Sequence, residues 1–243
     1  MKEIAVSDVP SFLSNIAEQK KSYRPDFIFR GQRTDKPLLP RLARIAPEGK
    51  LLNLEKLIFD EFRRMSHAHA DIDPKAKWDM LSLAQHHGLP TRLLDWTYSA
   101  LAALWFAVEK EPKKNKGVAQ NAVVFLLKTK PEDFINEESR ESPFESPNTR
   151  IYRPQVINRR IAAQAGVFTA HQVKVNTKGR AEHLVALEDN THFKDRLLKF
   201  VIPASTFVDL REQLDGCGMN RYSLFPDLDG LCRHLRWRYF ERS

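Results

Sequence analysis

Cysteine is nearly missing from this chain. Cys217 and Cys232 are the only two in 243 residues. That is too few for a disulfide framework, and they lack metal-type spacing, so both are expected reduced and packed against the core. The sequences Gly-x-Gly-x-x-Gly and Gly-x-x-x-x-Gly-Lys-Ser/Thr do not occur, which removes the two common glycine-rich phosphate cradles. Gly-x-Ser-x-Gly and His-Glu-x-x-His are also missing, and neither cysteine has the neighbours of an activated thiolate. Nucleophilic and zinc hydrolysis are therefore poorly supported, and no metal site is expected. No apolar run approaches membrane-span length. Met1-Lys2-Glu3-Ile4-Ala5-Val6 leads into no apolar stretch, so a signal peptide is not expected. The expected location is cytoplasmic, with no membrane partner.

The residues that are present make an ordinary folded composition, 42% hydrophobic and 29% charged. The length is enough to bury a sizeable core. A formal charge of +8 attracts polyanions through a long-range, salt-screened field, which makes RNA or DNA a natural partner class. The same surplus also suits a protein that is basic for no specific reason.

Phe27-Ile28-Phe29, stopped by Gly31, predicts a strand. Leu54, Leu57, Ile58, Phe62 and Met65 fall at helical spacing and predict an amphipathic helix. A second helix is expected over about Lys77 to His86, stopped by Gly88 and Pro90. A third starts near Ser99 as N-cap, with Leu101, Leu104, Trp105 and Val108 on its buried side. Ala122 to Leu127 reads as a central strand, and Leu197 to Ile202 as another ended by Pro203. A helix then runs to Gly216 and Gly218. The last helix begins at an Asp227 N-cap, carries Leu231 and Leu235, and ends among arginines and aromatics from Arg233 to Arg242. Cations at a helix C-terminus suit the macrodipole, and they would equally make a nucleic-acid patch. From Pro131 to Pro154 the chain is polar and proline-punctuated, a loop or lid pattern. The expected architecture is α+β, a single domain over 1–243 with its core at about 27–235. A small central mixed or antiparallel sheet is expected, flanked by helices.

Chemistry-bearing residues concentrate in Gln85-His86-His87-Gly88-Leu89-Pro90-Thr91-Arg92-Leu93-Leu94-Asp95-Trp96-Thr97. Leu93, Leu94 and Trp96 would hold the backbone on the core while Arg92, Asp95 and Thr97 line a cleft. The alternative is a structural Arg92–Asp95 ion pair. His86 and His87 are adjacent and do not point into one site easily. Arg30 ends a strand and precedes a glycine, where the backbone can turn or approach a ligand closely. Its planar fork suits phosphate, and Gln32 and Arg33 follow at once. His67-Ala68-His69-Ala70-Asp71 looks metal-like, but alternate residues on a helix do not face one another.

Phe29-Arg30-Gly31-Gln32, Leu38-Leu39-Pro40-Arg41-Leu42, Gln85 to Thr97 and Ala103-Leu104-Trp105-Phe106-Ala107 together resemble the FRG-domain family. Arg160 to Thr169 and Leu224-Phe225-Pro226-Asp227-Leu228-Asp229-Gly230-Leu231 continue the resemblance to about Leu235. A second-order similarity is to ADP-ribosyltransferases of the arginine-serine-glutamate type. Their aromatic-Arg-Gly strand is similar to Phe29-Arg30-Gly31, and the helix ending in Phe-Ala is similar to Leu104-Trp105-Phe106-Ala107. Leu94-Asp95-Trp96-Thr97 would stand for the strand between them. That likeness implies NAD as co-substrate, held by Arg30, Gly31, Gln32, Arg92 and Thr97, with Arg30 on the pyrophosphate and Thr97 on the nicotinamide ribose. It implies catalytic roles for Arg30, Asp95 and Gln164. Gln164 stands where such enzymes carry a glutamate, so either the negative charge comes from another acid, such as Asp95 or Glu182, or the reaction differs, or the chain only binds a nucleotide.

The expected activity is ADP-ribosyl transfer to nucleic acid or protein, in a toxin or phage-defence effector with a neutralising protein partner. The alternative is a non-catalytic module that binds nucleic acid or senses a nucleotide. The expected geometry has Arg30, Arg92, Asp95, Thr97 and Gln164 lining one hollow of nucleotide size.

Overall fold

The computed structural model describes residues 1–21, 26–45, 49–66, 69, 73, 76–135, 142–154, 163–175 and 182–242. The strands are β1 (Lys2–Ala5), β2 (Phe27–Gln32), β3 (Leu93–Thr97), β4 (Lys114–Asn115), β5 (Val118–Ala119), β6 (Ala122–Lys128), β7 (Arg150–Tyr152), β8 (Gly166–Ala170), β9 (Val173–Val175), β10 (Glu182–Leu184) and β11 (Leu197–Ile202). The described helices are α1 (Val9–Lys21), α2 (Leu42–Ile45), α3 (Leu51–Ser66), α4 (Lys77–His86), α5 (Ala100–Val108), α6 (Phe207–Gly216), α7 (Arg221–Leu224) and α8 (Leu228–Arg236). Seven strands form one mixed sheet in the order β1-β11-β6-β2-β3-β8-β7. The β1–β11 pair is parallel and the other pairs are antiparallel. The fold is α+β, as expected, with a larger sheet.

Strand alternation divides the core in two. Phe27, Phe29, Val124, Leu126, Leu198 and Phe200 join α1, α5 and α6 in one cluster. Ile28, Val123, Phe125, Leu127, Leu94 and Trp96 join another, as the two-residue side-chain period requires. Helix α5 lies on β2 at very close range. A Cβ added to Gly31 would stand 1.9 Å from the Ala103 carbonyl oxygen and 2.8 Å from the Ala107 nitrogen. The N-caps stand where the sequence puts them. Ser99 accepts from the Ala102 N–H at 3.2 Å, and Asp227 accepts from the Gly230 N–H at 2.7 Å.

Several expectations are corrected. Cys217 and Cys232 are both exposed: the first follows the end of α6, and the second lies on the solvent side of α8. Helix α8 buries Gly230 and His234 rather than its leucines, and Leu235 is exposed. Helix α3 turns Glu55 and Phe59 inward and leaves Leu57 and Met65 exposed, because Glu55 meets a buried arginine described below. Within the stretch read as a lid, Arg150–Tyr152 is the edge strand of the sheet, and Ile151 is fully buried. Residues 136–141 of that stretch, and most of His67 to Asp71, lie outside the described residues.

One buried polar chain fixes a protonation state. The Trp96 Nε1–H donates to Thr169 Oγ1 at 3.0 Å, and Thr169 Oγ1 lies 3.0 Å from His171 Nε2. His171 Nδ1 lies 2.8 Å from the Val185 carbonyl, which only accepts. Nδ1 therefore carries the proton, and Nε2 accepts from Thr169. Burial, reinforced by the charges of Arg30 and Arg92 against one favourable backbone bond, lowers the imidazole pKa from 6.5 to about 4. Between those values the unfolded chain binds a proton that the fold does not. Stability is thus expected to fall as pH drops from about 6.5 to about 4, by about 3 kcal/mol from this residue, and to stay flat above. Urea unfolding at pH 7.5 and 4.5 checks this. The difference should shrink by about that amount in His171→Gln, and an unchanged difference would refute it.

Candidate functional site

Strands β2 and β3 share a single register pair, Phe29 opposite Thr97. On its other side β2 stays paired with β6 from Phe27 to Gln32, and β3 stays paired with β8 along its whole length. Next to the bridge, the Arg30 Nη1 donates to the Asp95 carbonyl at 2.6 Å. A guanidinium thus takes up a backbone acceptor that the β2–β3 ladder does not reach. A cavity of about 320 Å³ lies here, lined by Arg30, Gly31, Asp95, Thr97 and Gln164, with aromatic walls from Trp96, Phe106, Phe168 and Phe225. That volume is at the lower end of the roughly 300–1,000 Å³ usual for ligand pockets. It suits one ring with its sugar.

Arg30 is four-fifths buried, and its Nε has no hydrogen-bond partner among the described residues. An unsatisfied buried donor costs about 1–3 kcal/mol, so it calls for an explanation. Burial lowers the Arg30 pKa, with the Asp95 carboxylate opposing and Arg44 reinforcing that shift. The group still carries its charge at neutral pH. Nη1 stands 3.9 Å from the Asp95 carboxylate, which is 60% exposed. Gln85 Nε2 donates to the two Asp95 oxygens at 3.2 and 3.4 Å. The Thr91 hydroxyl in turn donates to Gln85 Oε1 at 2.8 Å, which fixes the amide's orientation. Asp95 therefore presents a positioned negative charge at the cavity rim.

The other two predicted polar groups are committed inward. Thr97 Oγ1 donates to the Gln164 carbonyl at 2.6 Å and accepts from the Ser99 N–H at 2.9 Å. Gln164 Nε2 donates to the Leu224 carbonyl at 3.2 Å. Between Gln164 and β8, Ala165 adopts φ +46°, a left-handed conformation that costs an alanine about 1 kcal/mol. Backbone strain of this kind gathers beside functional sites.

Arg92 does not belong here. It is 2% exposed and faces Glu55, also 2% exposed. Its Nε lies 2.9 and 3.0 Å from the two carboxylate oxygens, and its backbone N–H donates to the same group at 3.1 Å. The guanidinium also sits over the Phe144 ring. This is a structural pair with Glu55, not with Asp95. Removing one partner strands the other charge in the core, so Arg92→Met alone is expected to destabilise the fold by about 3–5 kcal/mol. Combining it with Glu55→Leu should restore most of that loss, and equal midpoints for single and double variants in urea would contradict the account.

Gln32 is held in the β2–β6 ladder opposite Val123 and does not line the cavity. Gly31 does line it, but its missing Cβ serves the approach of α5. Glu182 accepts from the Leu52 N–H at 2.8 Å, at the start of α3, and supplies no charge to the site. His86 lines this cavity, whereas His87 lines a different, apolar one between α3 and α4. Sequence reasoning had no role for Gln85 as the group that orients Asp95, or for Phe106, Phe168 and Phe225 as walls. Proximity of Gln85 to Asp95 within one motif was the available signal for the first; nothing local marked the walls.

No helix among the described residues is long and apolar enough to cross a membrane. No curated protein and no solved structure matches the chain. The family model of the FRG domain matches residues 25–116, a span that holds Arg30, the Gln85 to Thr97 segment and helix α5. Residues 25–116 are thus an FRG domain.

Proposed function

We propose that the cavity beside Arg30 binds NAD and that the protein transfers its ADP-ribosyl group to a nucleophile on nucleic acid or protein. The observation that carries this reading is the buried, unpartnered Arg30 Nε beside the outward Asp95 carboxylate, at the gap between β2 and β3. In that arrangement Arg30 holds a phosphate oxygen through its fork. The aromatic walls take the nicotinamide ring, and Asp95 faces the positive charge that develops on the sugar. The glycosidic C–N bond breaks with its electron pair going to nicotinamide. The acceptor's lone pair then closes on C1′, and the acceptor's proton passes to Asp95 or to water. A toxin or phage-defence effector held in check by a neutralising protein partner is a setting consistent with that chemistry.

A second reading, a nucleotide sensor that does not turn over its ligand, draws on one specific observation. Thr97 spends its hydroxyl donor, and Gln164 one of its two amide donors, on internal partners, and Gln164 adds no negative charge. Incubation of purified protein with NAD and cell lysate separates the two. Nicotinamide release with a labelled product supports transfer. Saturable NAD binding by calorimetry without release supports sensing. Neither binding nor release removes both.

A further inference from the structure

A second cavity, of about 460 Å³, lies between the end of α5, the middle of α6, the start of α7 and the C-terminal half of α8. Phe225 stands between the two cavities: it walls the first cavity, and the Arg221 guanidinium, which lines the second, sits 4.6 Å from its ring centre. We propose that this second cavity binds a phosphoryl group, a site that does not rest on the reading of the first.

The charge is one argument. Lys110, Arg211, Arg221, Arg233 and Arg236 line the space, against two carboxylates, Glu109 and Glu241. Counting also Glu111 and Asp229, which meet Arg211 and Arg233 from outside the lining, five cations still face four carboxylates, a clustering of guanidinium forks suited to a phosphoryl group. Glu109 pairs with Arg221 at 3.2 Å and Glu241 with Arg236 at 2.7 Å. Arg211 and Arg233 also reach Glu111 and Asp229, both largely exposed. Exposed pairs of that kind exchange partners readily.

Unsatisfied polarity is the other. Three buried side-chain nitrogens lack a hydrogen-bond partner among the described residues: Arg30 Nε, Arg221 Nε and His234 Nδ1. The first belongs to the cavity already described, and the other two belong to residues lining this one. His234 is 93% buried by its 7% exposure, and its Nε2 has only Asp215, at 3.9 Å. Buried polar groups are nearly always satisfied, so two orphans on residues that line one cavity leave unused hydrogen-bonding capacity in its wall. The frame is rigid: a Cβ on Gly230 would stand 1.9 Å from the Phe225 carbonyl oxygen, so α8 is docked backbone to backbone, with Arg233 and His234 set by that contact.

The test is calorimetric titration of the full chain with inorganic pyrophosphate. Saturable binding is expected, weakened roughly tenfold or more in the double variant Arg233→Gln/Arg236→Gln, whose side chains are exposed and should leave the fold intact. Arg221→Gln should weaken it as well, and Lys20→Gln, an exposed cation that lines neither cavity, should leave it unchanged. Displacement of pyrophosphate by a 5′-phosphorylated oligoribonucleotide, but not by its 5′-hydroxyl counterpart, supports the site with a nucleic-acid end as the source. Displacement by ADP and by neither oligonucleotide supports it with a free nucleotide. No saturable binding overturns the proposal. So does wild-type affinity in the double variant, loss of binding in Lys20→Gln, or equal displacement by both oligonucleotides.

Discussion

Arg30→Ala is expected to weaken NAD binding at least a hundredfold and to abolish nicotinamide release. Hydrogen bonds to charged groups contribute about 1.5–3 kcal/mol each, so two from one guanidinium to a phosphate amount to about 3 kcal/mol or more. The fold should survive. The side chain gives up one bond to the Asp95 carbonyl, but an unsatisfied buried Nε is removed with it. The stability change is expected to stay within about 1.5 kcal/mol in urea unfolding. Arg30→Lys keeps the charge without the planar fork and should recover only part of the binding. Wild-type affinity in Arg30→Ala would remove the proposed phosphate grip. Loss of binding together with a large loss of stability would instead show Arg30 to be a structural link between β2 and β3.

Gly31→Ala is expected to destabilise the protein by about 4 kcal/mol or more, beyond the usual range of about 1–3 for an overpacked core. The added Cβ meets backbone, the Ala103 carbonyl oxygen at 1.9 Å, and not a side chain that could swing away. Relief requires α5 to move off β2. Trp105 and Leu104 then lose their packing, and Phe106 shifts in the cavity wall. Measured urea midpoints for Gly31→Ala and wild type decide the matter. Similar midpoints would mean that α5 lies farther from β2 than described.

Elements governed by local chemistry were legible before any coordinates. Ser99 and Asp227 cap their helices because a short polar side chain before an apolar run serves the first free N–H groups. Ala122 to Leu127 is a strand as expected, and the strand begun at Phe27 runs through Gly31 to Gln32, past the expected stop, with neighbours in both alternating between two cores. Arg30, Asp95, Thr97 and Gln164 were singled out, and all four line one cavity. Arg92 was misassigned because its partner, Glu55, is 37 positions away and sits on a helix whose leucines and methionine seemed to define the buried face. A buried ion pair outranks that stripe, since an unpaired charge in the core is far more unfavourable than an exposed Leu57.

Taken alone, the chain's residues determined the α+β class, the main helix and strand positions, and the family of residues 25–116. Those depend on periodicity, caps and motif order, which act over a few positions. Tertiary structure alone decided that β2 and β3 meet at one pair and leave Arg30 bridging to Asp95. It also decided that Glu182 caps α3 and that Arg221 and His234 share a second cavity. Each of these joins groups distant along the chain, where pairing is settled by burial and hydrogen-bond satisfaction in the folded state rather than by sequence spacing.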